Sequence, residues 1–266
     1  NVWDVYGLRK VVVYMQVKTY LISKAVSYHE LILEDGYINK IYMIDNPDRE
    51  IYAIPDACLD LQFVYEKGRF VPYVCGTHTE VSLAFISGSK KIFGVKFEPG
   101  VVPDFMKSYA GELVCTRRNV SDMEALSNIA AQLGKDMSFE DMEDIFTSHF
   151  IYADYFKERK NIIVQIAGII HNKKGCVTIS DIAVQTGYNQ RYLDRVFKES
   201  LGVSMKKYAG IIRIQKAIYY LQNNLTYEIY ERLGYYDQAH FIKDFKKNTS
   251  LTPNKFGKVN SELNIV

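Results

Sequence analysis

The sequence predicts an α+β chain: a β-rich N-terminal domain, a small barrel or sandwich with two helices behind it, followed by an all-α domain. Three observations predict this. Period-two hydrophobic segments crowd residues 28–120, helical periodicity takes over beyond them, and the charge changes sign between the halves. Residues 1–156 carry 15 Lys+Arg against 22 Asp+Glu, a balance of −7, whereas residues 157–259 carry 18 against 8, a balance of +10. The last seven residues add −1, which leaves the chain at +2. The domains are accordingly read as 1–156 and 157–266. A basic module behind an acidic one predicts that the C-terminal part meets a polyanion and the N-terminal part does not.

With 266 residues, 48% hydrophobic and 24% charged, the chain can bury cores of ordinary size. The first 14 residues carry no readable pattern, and Met15 is an alternative start. The apolar run Val11 to Met15 is shorter than the ~18–20 residues of a membrane span or the ~7–15 of a signal core. A cytoplasmic protein with no membrane contact is expected.

Strands are expected at YINKIYMI, LDLQFVYEK, VSLAFIS and KKIFGVKF, because turn signals (NPD, EKG, SGSKK, EPG) bound these alternating segments. Ser121 with Glu124 reads as a capping box before MEALSNIAAQL, and Ser138 with Asp141 as a near equivalent before MEDIFTSHFIYADYF. KERKN (157–161) is the expected junction. Asn161–His171 then supplies an apolar helix.

Beyond the junction the chain repeats itself. Residues 178–208 align with 225–256: an offset of 48 matches Asn189 to Asp237, Leu193 to Phe241, Phe197 to Phe245, Gly202 to Ser250 and Tyr208 to Phe256. Before the turn the offset is 47, matching Ile182 to Ile229 and Gly187 to Gly234. A whole pattern of anchors, turn glycine and cap recurs, as in a repeated supersecondary unit. Each copy, at about 178–201 and 225–249, reads as helix, turn, helix. Thr178 and Asp181 open the first helix, Gly187 ends it with a positive φ, and Asn189 caps the second, as Asp237 does in the other copy. Four and eight residues past each cap stand Leu193 and Phe197, then Phe241 and Phe245, one buried stripe per helix. Facing away are Gln190, Arg191, Asp194, Arg195 and Lys198 in the first copy. In the second they are Gln238, Ala239, Ile242, Lys243 and Lys246, with His240 and Lys247 beside them. Such a helix fits the major groove, about 12 Å wide, where Arg and Lys reach guanine or phosphates and Gln pairs with adenine. SMKKYAGIIRIQKAIYYL between the copies is one long helix that spaces the two readers.

These segments, ISDIA…GYNQRYLDRVFKESLGVS, RIQKAIYYL and GYYDQAHFIKDFKKNTSLTP, resemble the DNA-binding domain of AraC-type transcriptional regulators over residues 160–258. The resemblance implies a seven-helix domain that inserts two recognition helices into successive major grooves. By family position Arg191, Asp194 and Arg195 would contact bases in the first, and His240 and Lys243 in the second. Tyr230 stands where the family has a small residue, which predicts a displaced first helix in the second unit. Ser250 replaces a glycine, Met205 a proline and Thr226 an apolar anchor. IPDACLDLQFVYE and FGVKFEPG resemble the sensing or dimerising domain often found ahead of this module.

The expected function is a one-component regulator, not an enzyme. Its partners would be double-stranded promoter DNA, RNA polymerase, a small-molecule effector and a second copy of the chain, and no cofactor is implied. Three alternatives stay open: redox sensing through Cys58, Cys75, Cys115 and Cys176, a DNA-repair methyl acceptor, and a regulator without a ligand. His29, His78 and His149 are isolated, and Asp56 and Asp60 read as acids with no accompanying site.

Overall fold

Val, Ile, Tyr and Phe dominate the segments that pair into sheets, as suits a pleated and packed surface. The computed structural model describes residues 18–266 apart from 25, 34, 46–50, 85–88, 151–161, 224–227 and 260–262. Ten strands are seen among these: β1 Tyr20–Ser23, β2 Ser27–Ile32, β3 Ile38–Asp45, β4 Tyr52–Ala53, β5 Asp60–Glu66, β6 Arg69–Cys75, β7 Ser82–Leu83, β8 Lys91–Phe97, β9 Arg117–Asn119 and β10 Leu263–Ile265. They form a six-stranded sheet, β2-β3-β8-β5-β6-β9, and a four-stranded sheet, β10-β1-β4-β7. The paired strands run antiparallel. The expected sandwich is therefore found, with more strands than the four segments singled out.

Alternation sorts the large sheet's side chains. Ile41, Met43, Leu61, Phe63, Phe93 and Val95 face one side, whereas Tyr42, Ile44, Val64 and Ile92 meet Tyr20, Ile22 and Ala53 of the small sheet on the other. Both faces are buried, so β3 and β8 are covered throughout apart from partly exposed Asp45. Gly94 is required by that packing, since a Cβ there would overlap the Tyr42 ring. The β5–β6 hairpin turns on Lys67 (φ 48°) and Gly68 (φ 87°), the two positive angles of a type I′ turn. Pro72 sits inside β6. Its carbonyl accepts from the Val120 N–H, so its ring nitrogen faces that edge and takes no donor from the β5 ladder.

The helices are α1 Glu124–Gln132, α2 Phe139–His149, α3 Ile162–Asn172, α4 Ile179–Thr186, α5 Gln190–Leu201, α6 Met205–Gln222, α7 Ile229–Arg232, α8 Gln238–Thr249 and α9 Pro253–Val259. Ser138 and Asp141 close the capping box expected at α2. Ser121 does not cap α1. The helix starts three residues later, behind Met123, and the Ser121 carbonyl instead accepts from the Ser127 hydroxyl. The junction KERKN, the end of the second predicted helix beyond Phe150, and Thr226 lie outside the described residues. α7 is a single turn, half the length of its counterpart α4. Tyr230 lies on it, its hydroxyl bonded to Glu231.

Two features depart from a simple bipartite layout. The large sheet's helix-covered face is continuous with the first helical unit, because one apolar cluster runs from Phe63 and Phe93 through Phe146 and Ile166 to Phe197, Tyr208 and Ile212. The chain also ends in a strand rather than a helix. β10 returns to β1 in register Leu21↔Ile265, and Leu21, Ile54 and Ile265 join the core of the second helical unit with Ile218, Phe241 and Phe245.

Candidate nucleic-acid interface

In the first unit, Thr178 and Asp181 form the capping box of α4, Gly187 (φ 76°) takes the left-handed conformation that ends it, and Asn189 Oδ1 accepts the Tyr192 N–H to open α5. Leu193 and Phe197 are buried beneath α5. In the second, Gly234 is again left-handed and Asp237 Oδ1 accepts the His240 N–H at 2.7 Å to open α8 over Phe241 and Phe245. The repeat read from sequence extends to ring geometry. Phe197 meets Tyr208 edge-on at 5.1 Å, and Phe245 meets Phe256 edge-on at 5.3 Å.

Each helix keeps its other side open. Gln190, Arg191, Arg195 and Lys198 on α5, and Gln238, His240, Lys243, Lys246 and Lys247 on α8, are all exposed. Arg195 reaches Glu199 at 3.5 Å, one turn on, a solvated pair that competes weakly for the guanidinium. Asp194 is the exception among the expected readers. Its side chain is half-buried and Oδ1 accepts the N–H of Met205 at the first position of α6, so it serves the next helix. That bond accounts for Met205: a proline there would have no N–H to offer. Asp244 on α8 turns inward in the same manner, accepting the Tyr235 hydroxyl at 2.6 Å, which removes a carboxylate from the basic flank. Ile242 is half-buried against the core.

Sequence reasoning passed over two tyrosines on the same rim. Tyr188 and Tyr236 stand directly before the caps Asn189 and Asp237, 50% and 92% exposed, and phenol hydroxyls so placed can donate to phosphate oxygens. The available signal was a tyrosine between turn glycine and cap in both copies.

α6 spans about 27 Å at 1.5 Å per residue. Its Gln215 is buried and binds the backbone of the N-terminal half. Nε2 donates to the carbonyls of Lys18 and Pro55, and Oε1 accepts the Lys18 N–H. His171 on α3 bonds Tyr208 at 3.2 Å, and burial pushes its imidazole down to about 4.

Between the two sheets lies a polar cluster that the sequence reading dismissed. Lys96 sits 2.8 Å from Asp56 and 3.3 Å from Asp60. Burial opposes the ammonium, and the two carboxylates more than offset it, raising the lysine well above its ordinary range. Tyr42 donates to Asp60 Oδ2, as does Gln62 Nε2. Asp60 Oδ1 and Thr19 Oγ1 are buried without a partner beside an enclosed cavity of about 10 Å³, which Cys75, Gly76 and His78 also line. That volume holds about one water molecule. Cys58 and Cys75 are buried and burial pushes both thiols up, which disfavours the thiolate that oxidation needs. Cys176 is exposed and Cys115 half-buried. Among the described residues no group of His, Cys, Asp and Glu is arranged to hold a metal ion, and no helix is long and apolar enough to cross a membrane.

Residues 182–258 match the family model of a helix-turn-helix domain, and residues 17–118 match a domain of unknown function (DUF6597). The HTH-type transcriptional regulator YtdP of Bacillus subtilis is 30% identical over 145 residues, 51% of this chain and 19% of YtdP. The Msm operon regulatory protein of Streptococcus mutans is 32% identical over 102 residues, 37% of each chain. The chain thus spans well under half the length of these relatives. Among solved structures, the C-terminal domain of AraT, a response regulator from Geobacillus stearothermophilus, is 28% identical with TM-score 0.36 over 38% of this chain and 88% of its own. ToxT from Vibrio cholerae is 15% identical with TM-score 0.41 over 91% of this chain and 99% of its own. Residues 182–258 form an AraC-type helix-turn-helix domain, and the chain carries an N-terminal domain of another family ahead of it.

Proposed function

We propose that the chain is a sequence-specific DNA-binding transcriptional regulator in which α5 and α8 read the major groove. The observation that carries this reading is the doubled arrangement itself: a capped helix behind a left-handed glycine, aromatic beneath and basic outside, occurring twice in one basic segment. Arg191 and Arg195 are the base contacts expected of α5, and His240 and Lys243 those of α8. Gln190 and Gln238 stand at the first helical positions, where they reach either bases or phosphates. Lys198, Lys246 and Lys247, with Tyr188 and Tyr236, hold the backbone. Asp194 contributes by fixing α6 behind α5.

The N-terminal half supplies the input in this proposal. The cavity beside Asp60 Oδ1 and Thr19 Oγ1 holds about one water, too little for an organic effector, so the effector would engage that half elsewhere. Recruitment of RNA polymerase and pairing of two copies on a repeated or palindromic site complete it. Anisotropy titrations of the full chain on candidate promoter fragments and on random duplex, at graded salt, test the reading. Tighter binding to one fragment with a steep salt dependence is expected, and equal affinity for all duplexes would refute it.

A further inference from the structure

The N-terminal half touches both reading helices at the same place, their C-terminal ends. At α5, Gly111 lies in a 3₁₀ turn (Ala110–Glu112) so close that a Cβ on it would overlap the Glu199 carbonyl. Gly202, which ends α5, faces back at it: a Cβ there would overlap Val114 and the Gly111 carbonyl. At α8, the Val81 N–H donates to the Asn248 carbonyl at 3.1 Å, and Asn248 Oδ1 accepts Lys207 Nζ from the first turn of α6.

The two N-terminal segments that make these contacts are bonded to each other. The Gly76 N–H donates to the Thr116 carbonyl at 3.0 Å, and the Cys115 N–H to the Thr77 carbonyl at 3.1 Å. Gly76 also packs so tightly on the Leu113 carbonyl that no Cβ fits. Cys115 itself takes a left-handed backbone (φ 52°), uncommon for a residue with a side chain and sustained only where surroundings enforce it. Segments 76–82 and 110–116 therefore make one unit with a reading helix docked at each end. α8 has reason to need it, because α7 is a single turn and gives the second unit less scaffold than α4 gives the first.

We infer that segments 76–82 and 110–116 form a bracket that fixes the separation and angle of α5 and α8, so that Gly111 and Val81 are positioning residues for the spacing of the two half-sites read on DNA. This rests on the DNA-reading proposal above.

The test uses the full chain and duplexes that the wild type selects from a random library, then the same duplexes with one base pair inserted between the two half-sites. An insertion displaces one half by about 3.4 Å and rotates it by about 35°. The wild type should lose about tenfold or more in affinity. Gly111→Ala, which wedges the α5 contact, and Val81→Pro, which removes the donor to Asn248, should each cut that penalty to about threefold or less. Both should bind a single half-site duplex within about twofold of wild type and melt cooperatively, outcomes that a general loss of folding would not give. Either folded variant keeping the full penalty overturns the inference, and so does a wild type that tolerates the insertion. If selection enriches no sequence, the DNA-reading proposal falls first and the bracket with it.

Discussion

At the scale of single residues, the chain places polar side chains where only one geometry satisfies them. Gln215 fills a buried gap and supplies partners to two carbonyls and one N–H that have few alternatives. Gln215→Leu keeps the bulk and strands those groups, so unfolding stability should fall by about 2–4 kcal/mol in a denaturant titration. Ser250 ends α8 with φ 60°, where Gly202 ends α5 with φ 73°. The serine's Cβ is disfavoured in that conformation, and Ser250→Gly should raise stability by about 0.5–1 kcal/mol after the added freedom of the unfolded chain is counted. The same measurement checks it, and a loss would mean that the Ser250 side chain has a compensating role.

At the scale of elements, α5 and α8 were legible because several local signals agree. Cap, left-handed glycine and an apolar repeat of four residues each point to the same helix, and Asn189, Gly187 and Phe197 occupy the places they imply. The bond from the Met205 N–H to Asp194 was not legible, because periodicity gives a side chain's face but not its partner, and that N–H belongs to another helix. Asp194→Ala should therefore cost about 0.5–2 kcal/mol of stability, as loss of a cap does, without changing base preference. Arg191→Ala and Arg195→Ala should each weaken binding to a selected site by about 1–3 kcal/mol, with less effect on random duplex. Lys246→Ala should weaken binding to all duplexes alike and lower the salt slope by about one. Competition anisotropy separates these patterns. Strands were less legible. β2 is mostly exposed and short of apolar alternation, β6 carries Pro72, and β10 has three residues whose pairing partner lies at the other end of the chain. Asp56 and Asp60 gained a meaning only when pairing brought β8, and with it Lys96, alongside β5.

At the scale of the whole molecule, one apolar cluster joins the large sheet to the first reading unit and another joins β1 to the second, so neither unit stands apart from the N-terminal half. Stability then responds to groups buried in that shared interior. Burial pushes the Glu98 carboxyl up to about 7, with Asn39 donating to it. A carboxyl whose folded value is raised favours folding while protonated, and that contribution disappears as pH rises through about 7. His171, held down to about 4, has the opposite sign: its contribution is present above the ordinary imidazole range and disappears as pH falls towards about 4. Between pH 6.5 and 8 the Glu98 slope should therefore dominate the two, lowering stability by about 0.5 kcal/mol net. Glu98→Gln should flatten it; an unchanged slope would assign the effect elsewhere.

The return of β10 to β1 has a topological result. Tyr20 and Val266 exchange backbone hydrogen bonds, Tyr20 N–H to Val266 carbonyl at 2.9 Å and Val266 N–H to Tyr20 carbonyl at 3.0 Å. The stretch from Lys18 to Val266 is thus a nearly closed ring. In a segment cut to residues 18–266, a short linker could seal the ring, and new ends opened at the Lys67–Gly68 turn would give a circular permutant with each strand still beside its present neighbours.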